Sequence, residues 1–172
     1  HWKLLREEVT QAVLAFLNGG ELPVGLNDTS ITLIPKVCHP QSIAKYRPIA
    51  LCPVLYKLAV KVIANMLQLC MNDIISEELS AFVPGRLITD NVLIAHESVH
   101  AMRRRKKGGN SVCAIKLDMM KAYDRVEWHY LQAIMLKLGF GVDFVRLVMK
   151  CVSTVRFSIR FNGELLPFFS PS

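Results

Sequence analysis

The run Ala114-Ile115-Lys116-Leu117-Asp118-Met119-Met120-Lys121-Ala122-Tyr123-Asp124-Arg125-Val126-Glu127-Trp128 takes an apolar segment straight into a carboxylate and then into a helix start. That order constrains the fold. Val112 to Leu117 suits a strand buried on both faces, which belongs inside a sheet covered by other elements. Asp118 then emerges at the carboxyl end of the strand, where α/β and α+β proteins place reactive groups. The residues alone leave two readings open: a metal-binding aspartate, or a loop aspartate following a core strand.

At 172 residues the chain reads as one domain, able to bury about 70% of its extended surface and so to support a core. Cys38, Cys52, Cys70, Cys113 and Cys151 are odd in number and contain no Cys-x-x-Cys pair. This predicts a reducing, intracellular environment and argues against both a disulfide framework and a zinc ribbon. The chain opens at His1 with no charged-then-apolar leader, so it reads as an excerpt without a secretion signal. The apolar run from Leu51 to Met71 is interrupted by Lys57 and Lys61, which predicts a core helix and no membrane span. A net charge of +7 and a pI near 9.3 lean toward a polyanionic partner. The densest cations are Arg103, Arg104, Arg105, Lys106 and Lys107, followed by Gly108-Gly109. They suit a helix C-terminus, phosphate contact or a nuclear import signal.

Trp2, Leu5, Val9, Val13 and Phe16 recur at helical spacing, and Asn18-Gly19-Gly20 ends that helix. Ser30 to Pro35 and Tyr46 to Leu51 are short β-rich runs that could pair like a hairpin. Leu55, Leu58, Val62, Met66, Leu69 and Ile74 mark a long helix. Another follows Pro84-Gly85-Arg86, capped by Thr89 or Asp90, with Val92, Ala95, Val99 and Met102 on one face. Beyond Asp118, helices are expected through Leu131, Ile134 and Leu138, closed by Gly139, and around Val145, Val148 and Val152. In the tail, Val155, Phe157, Ile159 and Phe161 alternate with Arg156, Ser158 and Arg160, and Asn162-Gly163 is a strong hairpin turn.

His96-Glu97-Ser98-Val99-His100 matches the spacing by which two histidines one helical turn apart hold zinc while a glutamate acts on the bound water. A third protein ligand is wanting in the sequence, and five cations follow directly, so two histidines on a partly exposed helix face is the plainer reading. Asp124-Arg125-Val126-Glu127 has the form of a capping box, with Asp124 accepting first-turn amides and Glu127 reaching back.

Four blocks in order carry a resemblance: Ile31-Thr32-Leu33-Ile34-Pro35-Lys36, Tyr46-Arg47-Pro48-Ile49, Ala81-Phe82-Val83-Pro84-Gly85-Arg86 with Ile88-Thr89-Asp90-Asn91, and the block around Asp118. Together they resemble the reverse transcriptase of plant LINE-type, non-LTR retrotransposons, from about Asn27 to Ser172. The resemblance implies an α+β fold. It is that of the fingers (about residues 1–110, with connecting helices) and the start of the palm (about 111–172) of a right-hand polymerase, helix-rich with short antiparallel strands.

By the same resemblance, Asp118 is the catalytic aspartate and, with the main-chain carbonyl of Met119, a ligand of two magnesium ions. Tyr123 is the aromatic gate against a ribose 2′-hydroxyl, with ordinary packing as its alternative. Lys36 and Arg47 hold the incoming triphosphate beside Met119 and Tyr123, while Arg86 and Arg103 to Lys107 (Arg103, Arg104, Arg105, Lys106, Lys107) are weaker candidates for nucleic-acid contact. The implied partners are an RNA template, a DNA primer and dNTPs, with no membrane and a nuclear location. A Gln-Gly turn and a pair of adjacent aspartates, expected of the family after Ser172, lie outside this chain, so the fragment is expected to be inactive alone. Leu79, Met66 and Met120 stand where the family commonly has glutamine, arginine and a small polar residue, as in a decaying copy. A non-catalytic nucleic-acid-binding module on a fossil polymerase fold is the alternative, and a zinc hydrolase the distant one.

Overall fold

The computed structural model describes residues 2–104, 112–119 and 121–171. Among them the chain forms α1 (Trp2–Leu17), β1 (Asp28–Pro35), β2 (Tyr46–Leu51), α2 (Val54–Ile74), α3 (Ile88–Arg104), α4 (Trp128–Lys137), α5 (Val142–Ser153), β3 (Arg156–Phe161) and β4 (Glu164–Leu165). Two 3₁₀ turns, Ile43–Lys45 and Tyr123–Arg125, complete the order. The expected α+β class is what forms. The chain divides into two compact units, His1–Ala64 with Glu127–Ser172, and Asn65–Val126, the division falling within α2.

The first unit is organised by a sheet of order β2-β1-β3-β4. β1 and β2 pair antiparallel from Ser30↔Leu51 to Pro35↔Tyr46, as their β-branched content and intervening polar loop predict. The amide of Lys36 extends this ladder by donating to Lys45 O at 2.8 Å. In an antiparallel pair this fixes the parity: Arg47, Ile49 and Leu51 turn their amides toward β1, and Pro48 turns its nitrogen to the outer edge. A proline lacks the donor that an inner position would need, so this is where β2 can hold one.

β3 adds to β1 in parallel, from Asp28↔Arg156 to Thr32↔Arg160. The sheet is therefore mixed, where short antiparallel strands were expected. Asn162 (φ 49°) and Gly163 (φ 89°) both take the left-handed conformation of a two-residue hairpin turn, which returns the chain into β4. The alternation in β3 forms, but the burial of its two faces is unequal in an unexpected sense. Phe157 and Ile159 are only half-buried and Phe161 is 61% exposed, whereas Ser158 on the other face has no exposure. Its hydroxyl donates to Leu166 O, so a polar group tolerates that burial.

The core of this unit gathers Phe16 from α1, Ala59 and Ile63 from α2 and Cys151 from α5, with Val13, Leu17, Tyr56 and Leu147 against them. The helical periods of α1, α2 and α5 each deliver one apolar stripe to this point. α2 is long and apolar enough by length and composition to cross a membrane. It carries Lys57 and Lys61 all the same, and Ala59 and Ile63 are its buried members. Asn27, 5% exposed, ties the layers by donating from Nδ2 to Cys151 O (3.0 Å) and Thr154 Oγ1 (2.9 Å). α4 ends as expected, with Gly139 at φ 89° closing it.

In the second unit, α3 starts at Ile88, so Thr89 and Asp90 sit inside the first turn and do not cap it. Asp90 there complements the positive end of the helix dipole. The predicted apolar face is not covered. Val92 and Val99 are exposed, and among the described residues no α3 side chain is buried. The capping box is not formed either. Asp124 lies within the 3₁₀ turn, α4 begins only at Trp128, and Glu127 at its N-cap position makes no side-chain cap bond. Glu127 meets His129 instead, at 2.9 Å.

Candidate nucleotide and metal site

Two groups of residues named from the sequence lie in separate compact units, and each has its own geometry. The first is the β1–β2 hairpin. Directly opposed residues of an antiparallel pair share a face, so Ile34 and Arg47 lie together. Lys36, two residues on from Ile34 and bonded to Lys45, belongs to that face as well. Lys36 and Arg47 are thus diagonal neighbours, about 7–8 Å apart at Cα by ordinary sheet geometry. The Lys36 ammonium donates one bond, to Ala44 O at 3.0 Å, which leaves two of its three protons for another acceptor.

Charge sharpens this face. From Thr29 to Asn72 the chain carries no aspartate or glutamate, while Lys36, Lys45 and Arg47 all fall in the hairpin. The parallel register adds Arg160, opposite Thr32, to the same side of the sheet. Sequence reasoning missed Lys45 and Arg160; the acid-free stretch was the available signal for the first, but nothing local announces that β3 lies beside β1. An open groove of about 470 Å³ borders the hairpin ends, lined by Leu33, Gln41, Tyr46, Arg160, Phe161 and Asn162. Neither Lys36 nor Arg47 lines that groove, but a cationic fork and a point charge on one sheet face are what an oligophosphate or a nucleic-acid backbone requires.

The second group surrounds Asp118. The expected strand over Val112 to Leu117 does not form: residues 112–119 have no regular structure, and Ile115 and Leu117 are 76% and 89% exposed. An extended apolar segment becomes a strand only when a neighbour satisfies its backbone, and among the described residues none pairs with it. Asp118 is exposed, as is Met119, and the ring of Tyr123 in the 3₁₀ turn is 79% exposed. Packing therefore does not account for Tyr123. Lys121, between them, holds φ 54°, a conformation in which a residue with a side chain is uncommon. Met120 lies outside the described residues.

A magnesium site needs oxygen donors, commonly one or two carboxylates with the remainder from water and phosphate. Asp118 and the Met119 carbonyl are of that kind and open to solvent, so they fit part of such a site. Among the described residues no three histidine, cysteine, aspartate or glutamate side chains gather into a cluster. His96 and His100 lie on α3 with their rings parallel and 6.5 Å apart, and among the described residues no third ligand joins them.

Arg86 has another task. Its guanidinium donates to Ser76 O, to Leu79 O (2.7 Å) and to Ile75 O (3.1 Å), the carbonyls that α2 and the following turn leave without helical partners. A fork donated to three carbonyls gives Arg86 a structural task, bracing the turn that follows α2. Arg103 and Arg104 form the basic last turn of α3, and Arg105, Lys106 and Lys107 lie outside the described residues.

A family model described as reverse transcriptase (RNA-dependent DNA polymerase) matches residues 34–169. The chain is also similar to the Transposon TX1 uncharacterized 149 kDa protein of Xenopus laevis, 29% identical over 164 residues. That alignment covers 95% of this chain and 12% of the frog protein, so the chain spans about an eighth of that relative's length. With the family model matching well over half of its residues, this chain belongs to the reverse transcriptase (RNA-dependent DNA polymerase) family.

Proposed function

We propose that the chain is the fingers and early-palm part of a LINE-type, non-LTR reverse transcriptase, which copies an RNA template by adding dNTPs to a DNA primer in the nucleus. The observation that carries this reading is the placement of Lys36 and Arg47 on one face of an acid-free hairpin inside the matched stretch. Arg47 offers a planar fork to two phosphate oxygens and Lys36 a mobile point charge to a third. Both bind the triphosphate and hold it against electrostatic recoil. Tyr123 presents an uncovered ring to the sugar, and Asp118 with the Met119 carbonyl is the oxygen pair that would hold magnesium. Two such ions, when bound, lower the pKa of the primer hydroxyl and neutralise charge on the leaving phosphates.

The motif resemblance also suggests a plant element; the frog relative is compatible with the broader LINE-like class. The 172 residues contain no pair of adjacent aspartates, so we propose that by themselves they do not extend a primer.

Primer extension tests both halves. A longer polymerase containing this segment should make template-dependent DNA and lose it, by at least about a hundredfold, on Asp118→Asn. Binding without synthesis by that longer protein would favour a non-catalytic module, and synthesis by the 172-residue chain alone would overturn its assigned inactivity.

A further inference from the structure

Phe82 holds φ 63°, a left-handed backbone that a residue with a bulky side chain rarely takes. Its ring is 81% exposed, so the conformation is not kept for the sake of packing. The flanking residues supply the constraint. Ser80 and Val83 are 6% and 4% exposed, Gly85 takes φ 79°, and Arg86 pins the loop to three carbonyls at the end of α2. A loop fixed on both sides thus forces one aromatic ring outward. Strain kept in this way, on a ring left uncovered among the described residues, points to a use outside the loop itself.

We propose that Phe82 is a stacking platform for an unpaired base of the nucleic acid that the polymerase engages, an inference that rests on the reading given under Proposed function. Every base has a π-face, so a rigid exposed ring binds single strands without regard to sequence. The local charge selects a base over a phosphate. Glu77 and Glu78 stand in the same loop, and hydrogen bonds from the Glu78 amide and the Ser76 hydroxyl, with Arg86 nearby, hold the Glu78 carboxyl below the usual range. Ionised carboxylates repel a phosphate but not a neutral ring. Exposed Leu79 and Leu87 flank the loop with apolar surface suited to a sugar edge. The strand accordingly meets this loop base-first, its phosphates turned away.

The test uses a longer polymerase containing this segment and a labelled RNA–DNA hybrid, either blunt or carrying a short unpaired RNA overhang, read by fluorescence anisotropy. Phe82→Gly should weaken binding of the overhang hybrid about tenfold and leave the blunt hybrid unchanged. The loss should be equal at low and high salt, because stacking releases no counterions. Glycine accepts φ 63° freely, so Phe82→Gly should melt no lower than the wild type, and Phe82→Trp should keep the affinity. Equal binding by wild type and Phe82→Gly would overturn the proposal, as would a lower melting point with both hybrids weakened alike, which marks the ring as structural. If the wild type binds neither hybrid, the polymerase reading fails with it, a result distinct from either of those.

Discussion

Arg156 and Asp28 face each other across the parallel pair of β3 and β1 and join by two bonds, Nε to Oδ1 at 2.7 Å and Nη2 to Oδ2 at 2.6 Å. The Phe168 ring lies 5.2 Å from the same guanidinium, whose pKa is raised by the Asp28 hydrogen bonds and charge. The pair holds a strand to a partner 128 residues away. Arg156→Lys keeps the charge but loses the fork and the stacking. It should lower the melting temperature measurably and make it more sensitive to salt, while lysine at the exposed Arg146 should change neither. Thermal melts at low and high ionic strength check this.

Asn27 is the buried counterpart of that tie. Asn27→Ala leaves the Thr154 hydroxyl and part of the Cys151 carbonyl without their donor, although Tyr56 OH still donates to that carbonyl at 2.9 Å. The expected cost is about 1–3 kcal/mol in urea unfolding. Asn27→Asp should cost more at pH 7 and recover toward acid, since it buries a charge that protonation removes.

Alkali should unfold the chain early. Burial, with the nearby Cys151 and Cys52, pushes the Tyr56 phenol from 10.0 up to about 12, and burial pushes the Cys151 thiol from 9.0 up to about 11. Both groups hold their protons more tightly folded than unfolded. Their contribution is therefore complete below pH 9 and is lost as the pH rises through 11 and 12. Tyr56→Phe should flatten the upper part of this decline; unfolding curves between pH 8 and 12 read it out.

Arg86 closes the open end of α2. Arg86→Lys can reach one of the three carbonyls at a time and should destabilise the Asn65–Val126 unit by about 2 kcal/mol. Hydrogen exchange would show faster opening at Ile75 to Leu79 with the first unit unaffected. Equal loss in both units would mean that Arg86 is not a local cap.

The elements that could be read in advance are those whose residues announce themselves locally. The spacing of Val9, Val13 and Phe16, the β-branched runs around Ile31 and Ile49, and Asn162-Gly163 each determine a backbone period or a turn within a few residues. The parallel pairing of Asp28 with Arg156 has no such local mark, and with it the place of Arg160 beside β1 and the burial of Ser158 were not legible. The reading of Val112 to Leu117 failed for a related reason: β-propensity is a preference for a half-buried pleated surface, and that surface must be supplied by other strands. Asp118, Lys36 and Arg47 were singled out by their company in four ordered blocks. The bracing role of Arg86 was not legible, because a guanidinium reads as surface charge until the carbonyls it faces are known.

Pro48 bears on how such a chain behaves in a crowded solution. The outer edge of β2 would otherwise offer a row of unpaired amides to any passing strand, and its exposed Ile49 and Leu51 would reward the encounter. With the nitrogen of Pro48 at mid-edge, an incoming strand finds no donor where its own carbonyl must dock. The cationic hairpin is thereby kept from serving as a seed for sheet growth, and its face stays free for an anionic ligand.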